Sequence, residues 1–248
     1  VWVGDSLIAK PRLDSIALLS ALAGRTQRVR LGVACMASTP LRDPLLLAYQ
    51  WASIDCLAGG RTIFVACQGG GPGSGEFEHE LETFGVERRS RSGRMEEAIE
   101  IMRLTAKGLP VTFAGTYRQF RDVAILPQPV QQPVPIWIAA NPDPCKPGNV
   151  ASAFRRVARL ADGWQTTHTT PEQVARSIRI IHAYAKEEGR TLGSEFPVSI
   201  LSNICVDDSP ERAWAEASRF LNAHSSTHHE REFLERWVVA GRPEDCIS

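Results

Sequence analysis

The 248-residue sequence predicts an α/β fold built from successive βα units. Two observations carry this. The hydrophobic period switches repeatedly between short β-rich runs and longer stretches with helical spacing. Every connection between strand-like runs is long enough for a right-handed, parallel crossover. A chain of this length buries its core as one large domain, here residues 1–248, and nothing in its composition divides it.

The elements follow in order. Val1 to Gly4 reads as a strand, and after Pro11 the stretch Arg12 to Ala23 sets Leu13, Ile16, Ala17 and Leu19 on one helical face. Strand Val29 to Met36 leads to a helix from Pro44 to Cys56. Strand Arg61 to Cys67 opens into a long glycine-rich loop, and its helix spans Ser92 to Lys107. An excursion at about residues 109–134 is rich in turn formers and holds a short hairpin around Ala114-Gly115. Pro127, Pro129, Pro133 and Pro135 exclude a helix there. Strand Pro135 to Ala140, helix Asn149 to Ala161, strand Trp164 to Thr167 and helix Pro171 to Glu188 make two further units. Strand Pro197 to Val206 and helix Ser209 to Asn222 complete the last, and the remainder reads as a polar connection and the start of a helix. Six strands are two short of a closed eight-stranded barrel, which typically needs about 250 residues. The count alone leaves two architectures open, a partial barrel and an open doubly wound sheet.

Composition narrows the partners. The 28 basic and 28 acidic side chains cancel, so no net field draws in nucleic acid or an anionic membrane, and a small-molecule partner is expected. Six cysteines lie without metal-type or disulfide-framework spacing, which reads as reduced thiols in a cytoplasmic protein. The apolar runs fall well short of the roughly 20 residues that span a bilayer. No signal peptide is visible before Val1.

Six strings then fall in a telling order: VWVGDS, RVRLGVACMASTPLRDPLLLA, IDCLAGGRTIFVACQGGG, ERRSRSGRMEEAIEIMR, LPQPVQQPVPIWIAA and RRVARLADGW. In order and spacing they resemble the luciferase-like flavin monooxygenases, across nearly the whole chain. The resemblance implies a parallel (β/α)₈ TIM-barrel type fold of which about six strands are present, starting at the family's second strand and stopping before its eighth. It also implies reduced FMN supplied by a flavin reductase, or a deazaflavin in some branches, and a homodimer.

What the resemblance implies for the site is specific. Cys67-Gln68-Gly69 stands at the carboxyl end of a strand, the catalytic face of such barrels, where glycines let a ligand approach the backbone. The residue matching Gln68 is an arginine on the FMN phosphate in bacterial luciferase-type members, so charge-assisted recognition is absent at that position. Cys67 matches a position near the flavin ring, and it equally reads as a packed thiol. Ala34 and Cys35 match a non-proline cis peptide beneath the ring. Asp5 and Ser6 match an acidic residue and a histidine; a Ser6 hydroxyl cannot shuttle protons near neutral pH, and Asp5 reads equally as a cap or loop anchor. Ala140, Asn141 and Ser152 match the phosphate cradle, with Gly148 and Asn149 as turn and cap.

Other residues divide between chemistry and scaffold. His168 follows a strand and faces the catalytic mouth as a candidate acid or base, although a lone loop histidine is commonly a bystander. Asp162-Gly163-Trp164 precedes a strand and reads as structural. His224, His228 and His229 invite a metal reading, but they lack a partner of ligand spacing and read as a solvated connection. ERRSRSGR and HHEREFLER read as solvent-facing. The function expected is a monooxygenase acting with reduced FMN and O₂ on a small organic substrate. Deazaflavin hydride transfer and a non-catalytic flavin-binding relative are the alternatives.

Overall fold

The computed structural model describes residues 1–70, 75–142, 147–223 and 228–247. Along the chain run β1 (Trp2–Val3), α1 (Ser15–Arg25), β2 (Leu31–Val33), α2 (Pro44–Ala58), β3 (Thr62–Ala66), α3 (Gly75–Thr83) and α4 (Arg91–Thr105). Next come β4 (Val111–Ala114), β5 (Gln119–Val123), β6 (Ile136–Ala139), α5 (Pro147–Leu160), β7 (Gly163–Thr167) and α6 (Pro171–Glu187). The chain continues with β8 (Val198–Leu201), β9 (Asn203–Val206), α7 (Pro210–Ala223), α8 (Arg231–Leu234) and β10 (Val238–Gly241). It folds as two units. The first is Val1–Ala139 with Leu160–Trp164, and the second is Ala140–Arg159 with Gln165–Ser248.

In the first unit, β1, β2, β3 and β6 pair in that order, all parallel. All five residues of β3 are buried, because its faces meet helices on one side and the sheet's own interior on the other. On the helix side Phe64 meets Trp51 of α2 edge-on, with ring centroids 4.8 Å apart. Leu47 and Ile54 of α2 and Met95, Ile99 and Ile101 of α4 are fully buried as well. On the other face Ile63 and Val65 pack with Trp137, Cys35 and Ala139. Gly163 is needed beneath this layer, since a Cβ there would lie 2.6 Å from the Trp137 indole nitrogen.

Helix starts are set by short side chains. Asp14 caps α1 by accepting from the Ala17 amide at 3.0 Å, which moves the start past the expected Arg12. Asp43 accepts from Leu45 and Leu46 ahead of Pro44, and Gly59 ends α2 in the left-handed region at φ 61. The hairpin β4–β5 forms inside the excursion as expected, closed by Gly115 donating to the Arg118 carbonyl.

The proline-rich strap that follows is pinned by one buried carboxylate. Asp55 accepts from Thr62 Oγ1 at 2.6 Å, from the Gln131 amide at 2.9 Å and from Gln131 Nε2 at 2.8 Å. Asp162 does the same for β6. It accepts from the Ile136 amide at 3.0 Å and from Arg103 at 2.9 Å, in keeping with its structural reading.

The second unit holds the rest of β7, with Thr167 Oγ1 donating to the Leu201 carbonyl of β8 at 2.8 Å. Thr170 and Gln173 form a reciprocal capping box on α6. β9 and β10 pair in parallel and pack with α7 through Ala217, Leu221, Leu234 and Val238.

Three expectations are corrected. Residues 75–83 form α3, where a loop was expected, because Leu81 and Glu80 bury one side of it. Val238–Gly241 is a strand within the supposed polar tail, its short apolar run masked by polar flanks. Asn149 sits inside α5 and is not its cap, since Pro147 occupies the first helical position.

Among the described residues no helix is long and apolar enough to cross a membrane. Asp55→Ala leaves the Gln131 amide and the Thr62 hydroxyl without their acceptor. It is expected to cost about 2–4 kcal/mol, read as a fall in the urea midpoint. A change below about 0.5 kcal/mol contradicts that role.

Candidate functional site

The first unit gathers seven of the predicted site residues at the carboxyl ends of β1, β2 and β3. Asp5, 5% exposed, accepts from Ser15 Oγ at 2.7 Å, from the Ser38 amide at 2.8 Å and from Arg42 Nη2 at 3.4 Å. Arg42 also holds Ser38 Oγ at 2.8 Å and Asp14 at 2.7 Å. Asp5 therefore locks the turn after β2 to the start of α1. Within that turn the Ala34-Cys35 peptide is cis.

Ser6 is buried at 3% exposure, and its hydroxyl reaches the Lys10 carbonyl at 3.5 Å. The three following amides, Leu7, Ile8 and Ala9, all donate to one oxygen of Glu80, at 2.5, 2.6 and 3.1 Å. Lys10 pairs with Glu76 at 2.9 Å. Helix α3 thus clamps the loop that carries Ser6.

At the end of β3, Gln68 Oε1 accepts from Ser92 Oγ at 2.5 Å. Gly69 is left-handed at φ +84, and a Cβ there would meet the Ala37 carbonyl at 3.3 Å. Arg91 Nη1 donates to the Gly70 carbonyl at 2.6 Å. Gly71 lies outside the described residues. The Cys35 thiol hydrogen-bonds to Cys67, which pushes Cys35 well above the ordinary thiol range; burial adds to this. The same hydrogen bond, helped by the Gly69 and Gln68 amides, holds Cys67 lower despite its burial.

Arg91 was missed because ERRSRSGR reads as solvent-facing, yet it is only 9% exposed. The signal was its register. Arg91 lies four residues before Met95 and seven before Ala98, on the buried stripe of α4. Glu80 had no local signal at all, since the amides it binds lie more than 70 residues away.

The second unit holds the other four. Asn141 Oδ1 accepts from Thr166 Oγ1 at 2.7 Å and from the Thr167 amide at 2.9 Å, and the Ala140 amide donates to Gln165 at 3.0 Å. Ser152 is exposed, its hydroxyl donating to the Asn149 carbonyl at 3.2 Å. Residues 143–146, with Cys145, lie outside the described residues, as does His224.

His168 ends β7 at a positive φ of 52. Its ring centroid is 4.6 Å from Phe233 and 4.4 Å from Trp237, and its Nε2 is buried with no hydrogen-bond partner among the described residues. His229 stacks on Phe233 at 4.7 Å. The expectation of a solvated connection is therefore corrected for HHEREFLER, where Phe233 and Leu234 anchor the segment by apolar packing. Among the described residues no cluster of side chains is arranged to hold a metal.

Burial lowers the His168 pKa to about 4, and His229 and Arg236 push the same way. The folded chain thus holds this proton less tightly than the unfolded chain, whose histidine titrates near the ordinary value of about 6.5. Stability from this group is complete above that value and falls as pH drops from about 6.5 towards 4. The urea midpoint of the wild type should drop more steeply between pH 7 and 5 than that of His168→Phe. Equal slopes contradict a buried neutral ring.

Comparison with known proteins supplies the context. The chain matches the luciferase-like monooxygenase family over residues 1–244. It is 31% identical over 198 residues to an uncharacterised protein of Mycobacterium tuberculosis (strain ATCC 25618 / H37Rv), covering 80% of this chain and 63% of that protein. It thus spans less than two thirds of that relative's length. It is 27% identical to the F420-dependent glucose-6-phosphate dehydrogenase of Kineococcus radiotolerans, covering all of this chain and 77% of that protein. Among solved structures, an F420-dependent secondary alcohol dehydrogenase in complex with an F420-acetone adduct superposes with TM-score 0.78 at 18% identity, over 99% of this chain and 78% of that one. A monooxygenase from Streptomyces bottropensis gives TM-score 0.73 at 24% identity, over 94% and 69%. These likenesses show a TIM-barrel type fold. With the match running over almost its entire length, the chain belongs to the luciferase-like monooxygenase family.

Proposed function

We propose that this chain is the main part of an oxidoreductase that holds a flavin-type cofactor at the carboxyl end of β3 and acts on a small organic substrate. The observation that carries this is the cradle at Cys67–Gly70. Gly69 is left-handed, a side chain there would press on the Ala37 carbonyl, and Gln68 and Arg91 bring polar groups to the same loop. Such a surface suits a ligand that lies against the backbone.

The first reading is a monooxygenase using reduced FMN from a partner reductase. Bound there, the cofactor supplies the electrons that activate O₂, or, for a deazaflavin, a hydride. The chain's own residues do the rest. Asp5 and Arg42 fix the turn carrying Ala34 and Cys35, and the Cys35–Cys67 pair lines the strand ends. Ser6, whose hydroxyl reaches the Lys10 carbonyl, shuttles no proton near neutral pH because an ordinary hydroxyl titrates far above it. His168, in the second unit, is neutral across the physiological range and packs on Phe233 and Trp237.

The second reading is deazaflavin hydride transfer, favoured by the F420-dependent dehydrogenases that align with all or nearly all of this chain. A homodimer working in the cytoplasm fits either reading.

Mixing the full-length protein with reduced FMN, or with F420, while following fluorescence and oxygen use separates them. Reduced FMN with oxygen consumption coupled to substrate supports the monooxygenase. Binding of F420 alone without oxygen use overturns it in favour of hydride transfer. Binding of neither leaves a non-catalytic relative.

A further inference from the structure

Two of the cysteines meet at the strand ends. Cys35 lies just past β2 and Cys67 just past β3. The segments that carry them are tied side by side by the Met36–Ala66 bridge, with the Met36 amide donating to the Val65 carbonyl at 2.8 Å. The Cys35 thiol donates to the Cys67 sulfur. Both residues keep partial exposure, so neither thiol is sealed in the core. The other described cysteines have different surroundings. Cys56 donates to the Gln128 carbonyl at 3.1 Å, Cys205 packs against the apolar cluster of Ala217 and Leu221, and Cys246 ends a short 3-10 turn.

The two sulfurs are not equivalent. That of Cys67 accepts from the Cys35 thiol and from the Gly69 and Gln68 amides, which stabilises its thiolate, the form that attacks an electrophile. Cys35 keeps its proton, because that proton is already shared with Cys67 and because the side chain packs against Ile63, Val65 and Trp137. A stabilised thiolate in contact with a protonated thiol is the arrangement that turns a transient sulfenic acid into a disulfide before it oxidises further.

We propose that Cys35 and Cys67 are a peroxide-reactive dithiol, a modification site in which Cys67 is oxidised first and Cys35 resolves it to a disulfide. The oxidant is hydrogen peroxide. The Cys67 thiolate attacks one peroxide oxygen, so that an S–O bond forms, the O–O bond breaks, and the departing hydroxide takes up the proton that Cys67 had released. The Cys35 sulfur then attacks the Cys67 sulfur. The S–S bond forms, the S–O bond breaks, and the second hydroxide leaves with the Cys35 proton as water. In sum the two thiols lose two electrons and two protons, and one peroxide becomes two waters. Closure joins the ends of β2 and β3 covalently. The step needs no bound cofactor, so it stands or falls independently of the reading above.

The test follows thiols, not turnover. The full-length protein is reduced, freed of reductant, treated with equimolar hydrogen peroxide and digested without reductant for mass spectrometry. The expected product is a cross-link between the peptides of Cys35 and Cys67, two hydrogens lighter than the free thiols and reversed by dithiothreitol. It should form at least about tenfold faster than Cys56 is oxidised, as a stabilised thiolate requires. In Cys35→Ser the Cys67 sulfenic acid should persist and be trapped by dimedone, whereas in Cys67→Ser the Cys35 thiol should survive the same exposure. Thermal melts identify a variant that fails to fold, and the wild-type cross-link then decides alone. Cys67 oxidised no faster than Cys56, or carried to the sulfinic acid in the wild type without a link to Cys35, overturns the dithiol. Dimedone on Cys35 in folded Cys67→Ser overturns the assignment of roles.

Discussion

Every part of the site leans on the burial of β3. Its five residues have no solvent-exposed face, and both edges are hydrogen-bonded, to β2 on one side and β6 on the other. A strand held this way cannot slip, because a shift of one residue would exchange Phe64 and its neighbours between the helix layer and the interior. Rigid placement of the strand end is what lets Cys67, Gln68 and Gly69 act as a fixed platform. The platform's conformation then follows from local chemistry, a left-handed glycine and two side chains of α4 that bind it.

A second layer of polar contacts ties loops to this platform. Asp5 bridges the ends of β1 and β2 to the start of α1, and Glu80 gathers three consecutive amides of the loop after β1. Both carboxylates are nearly fully buried and both are well supplied with donors, which is the condition under which a buried charge is tolerated. These contacts order the residues around the strand ends before any ligand arrives, and preordering of that kind lowers the entropic cost of binding.

Much of the fold was legible because its signals are local. Strand β3 is an apolar β-branched run bounded by Gly59-Gly60 and Gly69-Gly70, the hairpin announces itself by Gly115, and α2 by Asp43-Pro44. What escaped the sequence is long-range. Arg91 sits in a charged string whose buried stripe emerges only when α4 is drawn as a helix. The neutrality of His168 depends on Phe233 and Trp237, more than sixty residues later, in a segment whose polar flanks hide its packing. Asp5 illustrates a third kind. Of its two readings, loop anchor and cofactor ligand, the contacts with Ser15, Ser38 and Arg42 supply the first in full.

The central claim is that the end of β3 is where the cofactor lies. Hydrogen exchange of the full-length protein with and without reduced FMN or F420 tests it most directly, since amide protection is read residue by residue. The account predicts added protection at the amides of Gln68, Gly69 and Gly70 and in the first turn of α4. Protection confined to other strand ends, with these amides unchanged in the ligand-bound protein, would contradict it.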